Sequence, residues 1–585
     1  ITDYSNQAWA FRAMDDATMR SANPWLYTDP DKANSLPVSV LPVGGFYRET
    51  KYSMESYDFR ATASYNNVFG EDHIVNLFGG METNAVNREK TWFNGVGMQY
   101  EMGMLPSYDY LYFKQGNEEN AGYYSVDRTR QREVSFFGTG TYSYKGRYTL
   151  NGTVRYEGSN KLGKSRKARW LPTWNVSAAW NAHEEEFWQS FRDVVSNMTL
   201  KASYSLTADR GPASVSNSKA IINSYNTWRP FTSVKESGLI LSSVENSELT
   251  YEKKHELNIG AEIGFIDNRI NIEADWYTRN NFDLIGLIYT KGTGGQLAKF
   301  ANVASMKSSG VEFTVSTRNI KTKDFSWNTD FIFSHTKNEV TDLQSNASVM
   351  DMISGNGFAM EGYPVRALFS MDFQGLNENG YPTFINEKGQ LTVSDINFQE
   401  QLKKDHLVYE GPTDPTMTGS LGNIFRYKGF TLNAFITYSF GNVIRLDPVF
   451  HNVYSDLDAM PREFINRWTT GGDEKVTNVP VIADKRANQQ DPYLSYAYNA
   501  YNYSTERIAK GDFIRMKELS LSYNFPKKMI SRLKVNDLSL KIQATNLFLI
   551  YSDKKLNGQD PEFFNTGGVA SPVPRQFTLT LRLGI

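Results

Sequence analysis

The sequence predicts an all-β protein, a transmembrane antiparallel β-barrel with short periplasmic turns and long extracellular loops. Three observations predict it. Apolar and polar residues alternate with period two in segment after segment; the polar face of those segments carries charges; and the connections between them alternate between short and long.

Taken along the chain, YDFRATASY sets Tyr57, Phe59, Ala61, Ala63 and Tyr65 against Asp58, Arg60, Thr62 and Ser64. RYTLNGTVRYE sets Tyr148, Leu150, Val154 and Tyr156 against Thr149, Asn151, Thr153, Arg155 and Glu157. MTLKASYSL and HELNIGAEIGF repeat the pattern, as do RINIEADW, GVEFTVST, FTLNAFITYSF, KELSLSYNF and LSLKIQA. The chain ends in the same way, with Phe577, Leu579, Leu581, Leu583 and Ile585 alternating with Gln576, Thr578, Thr580, Arg582 and Gly584. Period two gives each strand one apolar and one polar face.

Period two alone fits a soluble two-sheet protein as well. The polar face argues against it, because Arg155, Lys201, Glu256, Glu262, Glu273, Asp275, Lys541 and Arg582 would be buried charges inside a sandwich. Facing a water-filled lumen they are solvated, and the apolar face then meets lipid.

Connection lengths decide between the two. Short connections fall at NNVFGED after Tyr65, at Lys145 to Arg147, at Ile266 to Asn268 and at Tyr427 to Gly429. Two more are compact and helix-like, one running from His183 and one from Pro526, whose ring suits a helix start. Long connections run roughly from Met81 to Gln131, Thr207 to Lys254, Asn280 to Met306, His335 to Thr416 and Gly441 to Lys510, with VRALFSMDFQG placed in an outer loop. This asymmetry is that of an outer-membrane barrel. Aromatics near strand ends, among them Tyr142, Tyr144, Tyr148, Tyr156, Trp174, Trp180, Tyr438 and Phe440, suit interfacial girdles or core packing equally.

Composition narrows the function. The 585 residues show no linker or low-complexity tract, so one large unit is expected. A net charge of −2 and a pI near 6.4 supply no basic field for nucleic acid. The chain has no cysteine, which excludes disulfides and thiol nucleophiles. No apolar run reaches the ~18 residues of a membrane helix. A mean hydropathy of −0.49 suits a barrel that shows lipid only alternate residues. The first residues lack the basic flank and apolar centre of a signal peptide, so the expectation is a chain that starts downstream of any export signal.

Chemical motifs are few. The six histidines are scattered without HExxH spacing. HEEE at His183 reads as charge complementarity at a helical turn. Asp29 and Asp31 lack the glycine and closing glutamate of a calcium loop, and KGTGG at Lys291 lacks the GK[ST] of a phosphate loop. No catalytic constellation, cofactor site or metal site emerges, and the chain reads as a non-enzyme.

SFFGTGTYSYKGRYTLNGTVRYEGSNKLGKSRKARWLPTWNVSAAW, GDFIRMKELSLSYNFPKKM, IQATNLFLIYS, DPEF at Asp560 to Phe563 and the ending PVPRQFTLTLRLGI together resemble the C-terminal barrel region of SusC/RagA-type TonB-dependent transporters of Bacteroidota. The resemblance covers nearly the whole chain, in order. Many members end on an aromatic, where this chain has Ile585.

The resemblance implies a barrel of about 22 strands with a plugged lumen. The residues themselves give about 15 strands, the first and the last both descending. The shortfall is odd, as it would be if residues 1–585 were the C-terminal portion of the barrel. The plug, the TonB-binding segment and the first strands would then lie outside this chain, in the same or a separate polypeptide, and the last strand would pair with one of them. The implied function is TonB-dependent import of a large nutrient, glycan or peptide, across the outer membrane of a Gram-negative bacterium. A SusD-like lipoprotein would cap the loops, and transporter–lipoprotein pairs could dimerise. A passive porin or adhesin barrel is the alternative, and a β-rich hydrolase the third reading. Candidate ligand or lid contacts are the loop aromatics Trp25, Tyr27, Tyr108, Tyr110, Tyr112, Trp228 and Tyr493, which suit stacking on sugar rings or packing on a partner, or simply brace the loops.

Overall fold

The computed structural model describes residues 44–584 except 108–109, 119–122, 162–168, 212–219, 227–236, 245, 247–248, 290–297, 345–346, 451–461, 483–484, 532–534 and 564–573, together with residues 2–3, 26–27 and 38–39. Fifteen long strands form an antiparallel meander among the described residues: β1 (Gly45–Phe69), β2 (His73–Gln99), β3 (Tyr124–Tyr144), β4 (Tyr148–Ser159), β5 (Trp170–Asn181), β6 (Val195–Asp209), β7 (Glu252–Phe265), β8 (Ile270–Tyr289), β9 (Ala298–Lys321), β10 (Phe325–Leu343), β11 (Met417–Tyr427), β12 (Phe430–Phe440), β13 (Phe513–Asn524), β14 (Asp537–Ser552) and β15 (Gln576–Gly584). Two further two-residue strands, Thr2–Asp3 and Leu105–Pro106, complete a 17-stranded sheet.

Registered pairs run from β1 to β15 with every strand beside its sequence neighbour. The register aligns the apolar alternates into rows. Leu432 lies opposite Leu521, Leu521 opposite Ile542, and Ile542 opposite Leu579. These four side chains are 36 to 69% exposed. In a sandwich this face would be buried, and in water each such side chain would forgo roughly 1.5–3 kcal/mol. Lipid is the solvent that fits a band of this kind.

The short connections are tight. Lys145 at φ 53° and Gly146 at φ 68° make the turn between β3 and β4, a left-handed geometry that glycine adopts without cost. Between β7 and β8 the residues Ile266, Asp267 and Asn268 all take positive φ, and Ser196 Oγ accepts from the Asp267 amide at 2.6 Å. A β-branched isoleucine there is strained. The segment after His183 forms two short 3₁₀ turns, Ala182–Glu184 and Glu186–Ser190, rather than one helix.

Strands reach further into the expected loops than the alternation shows. β2 continues to Gln99, β3 starts at Tyr124, and the expected loop from Asn280 to Met306 is strand up to Tyr289 and again from Ala298. At 25 residues and roughly 3.3 Å per residue β1 spans about 80 Å, far more than a bilayer requires. Above the membrane both faces are wet, so the period-two signal fades while the ladder continues. A register shift at Asn281/Leu284, with Asp283 at φ 58°, breaks the alternation further.

The two longest connections, 344–416 and 441–512, fold together into a headpiece with its own core. Helix α1 (Val349–Ile353) opens with a capping box in which Ser348 Oγ accepts from the Asp351 amide and Asp351 accepts from the Ser348 amide. It buries Val349, Met352 and Ile353. These pack with Phe369, Met371 and Phe384 from the first connection and Phe450, Phe464, Leu494 and Tyr501 from the second. Leu494 and Tyr501 of this second group lie on helix α2 (Leu494–Asn502). Residues Ala367–Met371, expected in an outer loop, form a short strand here, outside the barrel ladder and buried at every position. On the opposite rim, helix α3 (Lys527–Ile530) follows Pro526 at the N-cap.

Candidate functional site

The face opposite the apolar band lines the interior and is laced with ion pairs. Arg155 bridges Glu157 at 2.8 Å and Glu82 at 3.6 Å, Arg279 meets Glu256 at 3.1 Å, and Lys541 lies 3.7 Å from Glu518. Lys201 pairs with Glu262, and Arg210 pairs with both Glu133 and Glu157. Asp275 stands beside Lys201 in a recess of about 370 Å³ whose walls include Thr149, Asn151, Ser177 and Asn258. Half-exposed pairs of this kind add little stability. Their consequence is a hydrophilic conduit wall.

At the turn rim Glu185 gathers three neighbours, accepting from Tyr148 Oη, from Trp180 Nε1 at 3.2 Å and from Arg147 at 3.1 Å. The Tyr148 hydrogen bond is the main reason its carboxyl is held below the usual carboxylate range. Glu185 of HEEE therefore fastens Tyr148 and Trp180, while Glu184 and Glu186 sit in the first turns of the two 3₁₀ segments, as charge complementarity at a helical turn expects. Among the described histidines, His255 lies near-parallel to Tyr204 and Phe282, and His73 bonds Tyr142 at 2.7 Å.

At the loop rim three buried arginines act as fasteners, two of them inside the headpiece and one on the barrel wall. Arg445 donates to the carbonyls of Ser504 at 2.7 Å, Phe369 at 2.6 Å and Ile353 at 3.3 Å. Burial pulls its guanidinium down to about 10, still charged at neutral pH. Arg507 bonds Asp447 O at 2.8 Å and pairs with Glu463. Arg515 on β13 is gripped by Asp560 and, at 2.8 Å, by Glu562. Those two carboxylates are the acids of DPEF, so this short motif joins the last long connection to the barrel wall. Sequence reasoning missed all three arginines. Only the carboxylate spacing in DPEF gave a hint of a partner, and it could not name which one.

Of the seven sequence candidates, Trp25, Tyr108 and Trp228 lie outside the described residues. Tyr27 is described in its backbone alone, where it pairs with Val38. Tyr110 is 74% exposed, whereas Tyr112 packs on Phe46 and Val96 and braces the rim, its hydroxyl pushed up by burial. Tyr493 stands at the mouth of a cleft of about 680 Å³ in the headpiece, beside Tyr496, Phe398 and Asn499. The structure thus brings Tyr493 together with residues that the sequence reading did not single out. The helical spacing of Tyr493, Tyr496 and Asn499 was the available signal.

An apolar outer band, a charged inner wall, tight turns on one rim and a folded headpiece on the other define an outer-membrane β-barrel. The family described as "TonB dependent receptor-like, beta-barrel" matches residues 2–457, and the chain belongs to it. TonB-dependent receptor P3 of Formosa agariphila is 24% identical over 538 residues, covering 88% of this chain and 49% of its own length. TonB-dependent receptor SusC of Bacteroides thetaiotaomicron is 26% identical over 479 residues, 78% of this chain and 44% of its own. Among solved structures, the RagAB peptide transporter superposes with a TM-score of 0.74 at 21% identity, over 92% of this chain and 56% of that one. The chain spans about half the length of the curated relatives it matches. The SusC/RagA-type resemblance and the outer-membrane location stand, and the family is one of transport proteins rather than enzymes.

Proposed function

We propose that this chain is the C-terminal barrel portion of a TonB-dependent importer of a large nutrient, glycan or peptide. Plug and first strands would be supplied by sequence beyond residues 1–585, and a SusD-like lipoprotein would close over the headpiece. The observation that carries the reading is the pairing of a lipid-facing band with a charged inner wall beneath a folded, arginine-fastened rim. A passive pore needs the first two and has no use for the third. The relatives' greater length supports a missing plug, and the exposed outer strands β1 and β15 suit pairing with further strands.

The test is uptake in the native host. Deleting the gene for this transporter, or for TonB, should abolish growth on one nutrient polymer while leaving growth on its monomer unchanged. Growth that needs the barrel and persists without TonB would overturn the reading in favour of a porin. Copurification from native outer membrane should bring down a surface lipoprotein, and its consistent absence would remove the lid.

A further inference from the structure

The headpiece cleft has two walls fixed in place from behind. One is the segment Ser394–Gln399, whose backbone is tied to α1: the Met350 amide donates to Phe398 O and the Val349 amide to Glu400 O, both at 2.9 Å. The other is the start of α2. Asp491 joins them, accepting from Ser394 Oγ at 3.0 Å and from the Tyr493 amide at 2.9 Å. A gap held by such bonds keeps its width without a ligand.

What the walls present is a ring platform beside hydrogen-bonding groups. Leu494, Ala497 and Tyr501 turn into the core, which leaves Tyr493, Tyr496 and Asn499, spaced by three, on the cleft side of the helix. Phe398 is buried beneath and lies 17° from parallel with Tyr496, ring centroids 6.0 Å apart. Tyr493 follows 5.9 Å from Tyr496, its ring tilted 43° to it, so the two present adjoining faces at an angle. Phe398 backs the platform, while Tyr493 and Tyr496 stay 63% and 41% exposed, more than core packing requires. Around them stand Asn397, Gln399, Asn499 and Asp395. Asn397 Oδ1 accepts from the Gln399 amide at 3.0 Å. The Asp395 charge is met by Lys388 at 2.9 Å, and among the described residues no other cation stands at the cleft wall.

We propose that this cleft binds a short neutral oligosaccharide. The weakly polar C–H face of a sugar ring stacks on tyrosine, and its hydroxyls bond amides in either direction. The volume falls within the roughly 300–1,000 Å³ of small-ligand sites. An anionic glycan would meet the Asp395 carboxylate and a lysine already paired with it, and an extended peptide would find no free strand edge among the lining residues. The inference deepens the import reading by naming a substrate class and rests on it only for the uptake step.

The experiment is calorimetric titration of the detergent-solubilised full-length transporter with linear neutral hexasaccharides of glucose, xylose and mannose, with an oligogalacturonate and a mixed peptide digest as comparators. At least one neutral hexasaccharide should bind saturably. The double substitution Tyr493→Ala and Tyr496→Ala should weaken it by roughly tenfold or more, and Tyr496→Phe should keep it within about twofold. Unchanged protease resistance of the headpiece shows that the variants fold. The proposal is overturned if no neutral sugar binds, if the double variant binds as well as the parent, or if the double variant loses only the comparator. Uptake separates the two readings. TonB-dependent uptake unaffected by the double variant removes the cleft and leaves the importer, whereas a sugar that binds the cleft and enters without TonB removes the importer.

Discussion

Leu579 on β15 and Leu494 at the start of α2 are the same side chain in opposite settings, the first 69% exposed and the second 2%. Around Leu579 the apolar rows of Leu432, Leu521 and Ile542 face outward and the charges face inward. Around Leu494 the aromatics and aliphatics of two long connections close on one another as in any water-soluble core. One chain carries two reversed polarities because two solvents act on it. Below the rim hydrocarbon rewards outward leucines; above it water rewards inward ones.

The comparison can be broken from either side. The largest effect is expected where the last long connection is fastened to the barrel wall: Arg515→Met leaves Asp560 buried without its cation and should cost about 3–5 kcal/mol. That loss would be seen as early melting and proteolysis of the 553–575 connection, and Arg515→Met with Asp560→Asn should recover part of it. Next comes Leu494→Ala, about 2–5 kcal/mol from the headpiece core with the barrel transition unmoved. Close behind, Ile542→Lys on the outer band should cost the barrel about 2–4 kcal/mol in lipid vesicles, while Ile542→Ala costs little. Equal effects of alanine at Leu494 and Ile542 would erase the distinction between the two regions.

Smaller effects sharpen it. Ile266→Gly relieves a left-handed isoleucine in a membrane-edge turn and should stabilise the barrel by about 1 kcal/mol in urea titration, leaving the headpiece untouched. The smallest concerns Glu400, whose carboxylate is held below the usual range first by the Leu402 amide and then by that of Lys403. A depressed acid contributes stability that is present at neutral pH and lost as pH falls through the folded-state value. The 400–403 turn should therefore loosen in acid before the barrel does, read as faster hydrogen exchange after correction for the intrinsic rate. Exchange that stays flat there to a pH well below the ordinary glutamate range would contradict it.

Much of the wall was legible because its code is local. RQFTLTLRLGI and FTLNAFITYSF each state their two faces within a few residues, and the turn at Lys145 to Arg147 announces itself by a glycine between them. The loop boundaries were misread where that code lapses: β8 and β9 rise past the membrane into water on both sides, and no alternation marks Asn280 to Tyr289. The headpiece was illegible for a different reason. Ile353 and Tyr501 belong to one core across nearly the full length of two connections, and no local period reports such a contact.

By itself, then, the sequence determined which residues face lipid and which face water along each strand, since strand geometry converts order in the chain directly into sidedness. Only the tertiary structure decided that two loops share a core, that DPEF holds Arg515, and that Tyr493 and Tyr496 meet the Ser394–Gln399 segment across a cleft. Those contacts join residues tens of positions apart, and their free energy comes from burial that exists only once both partners are in place.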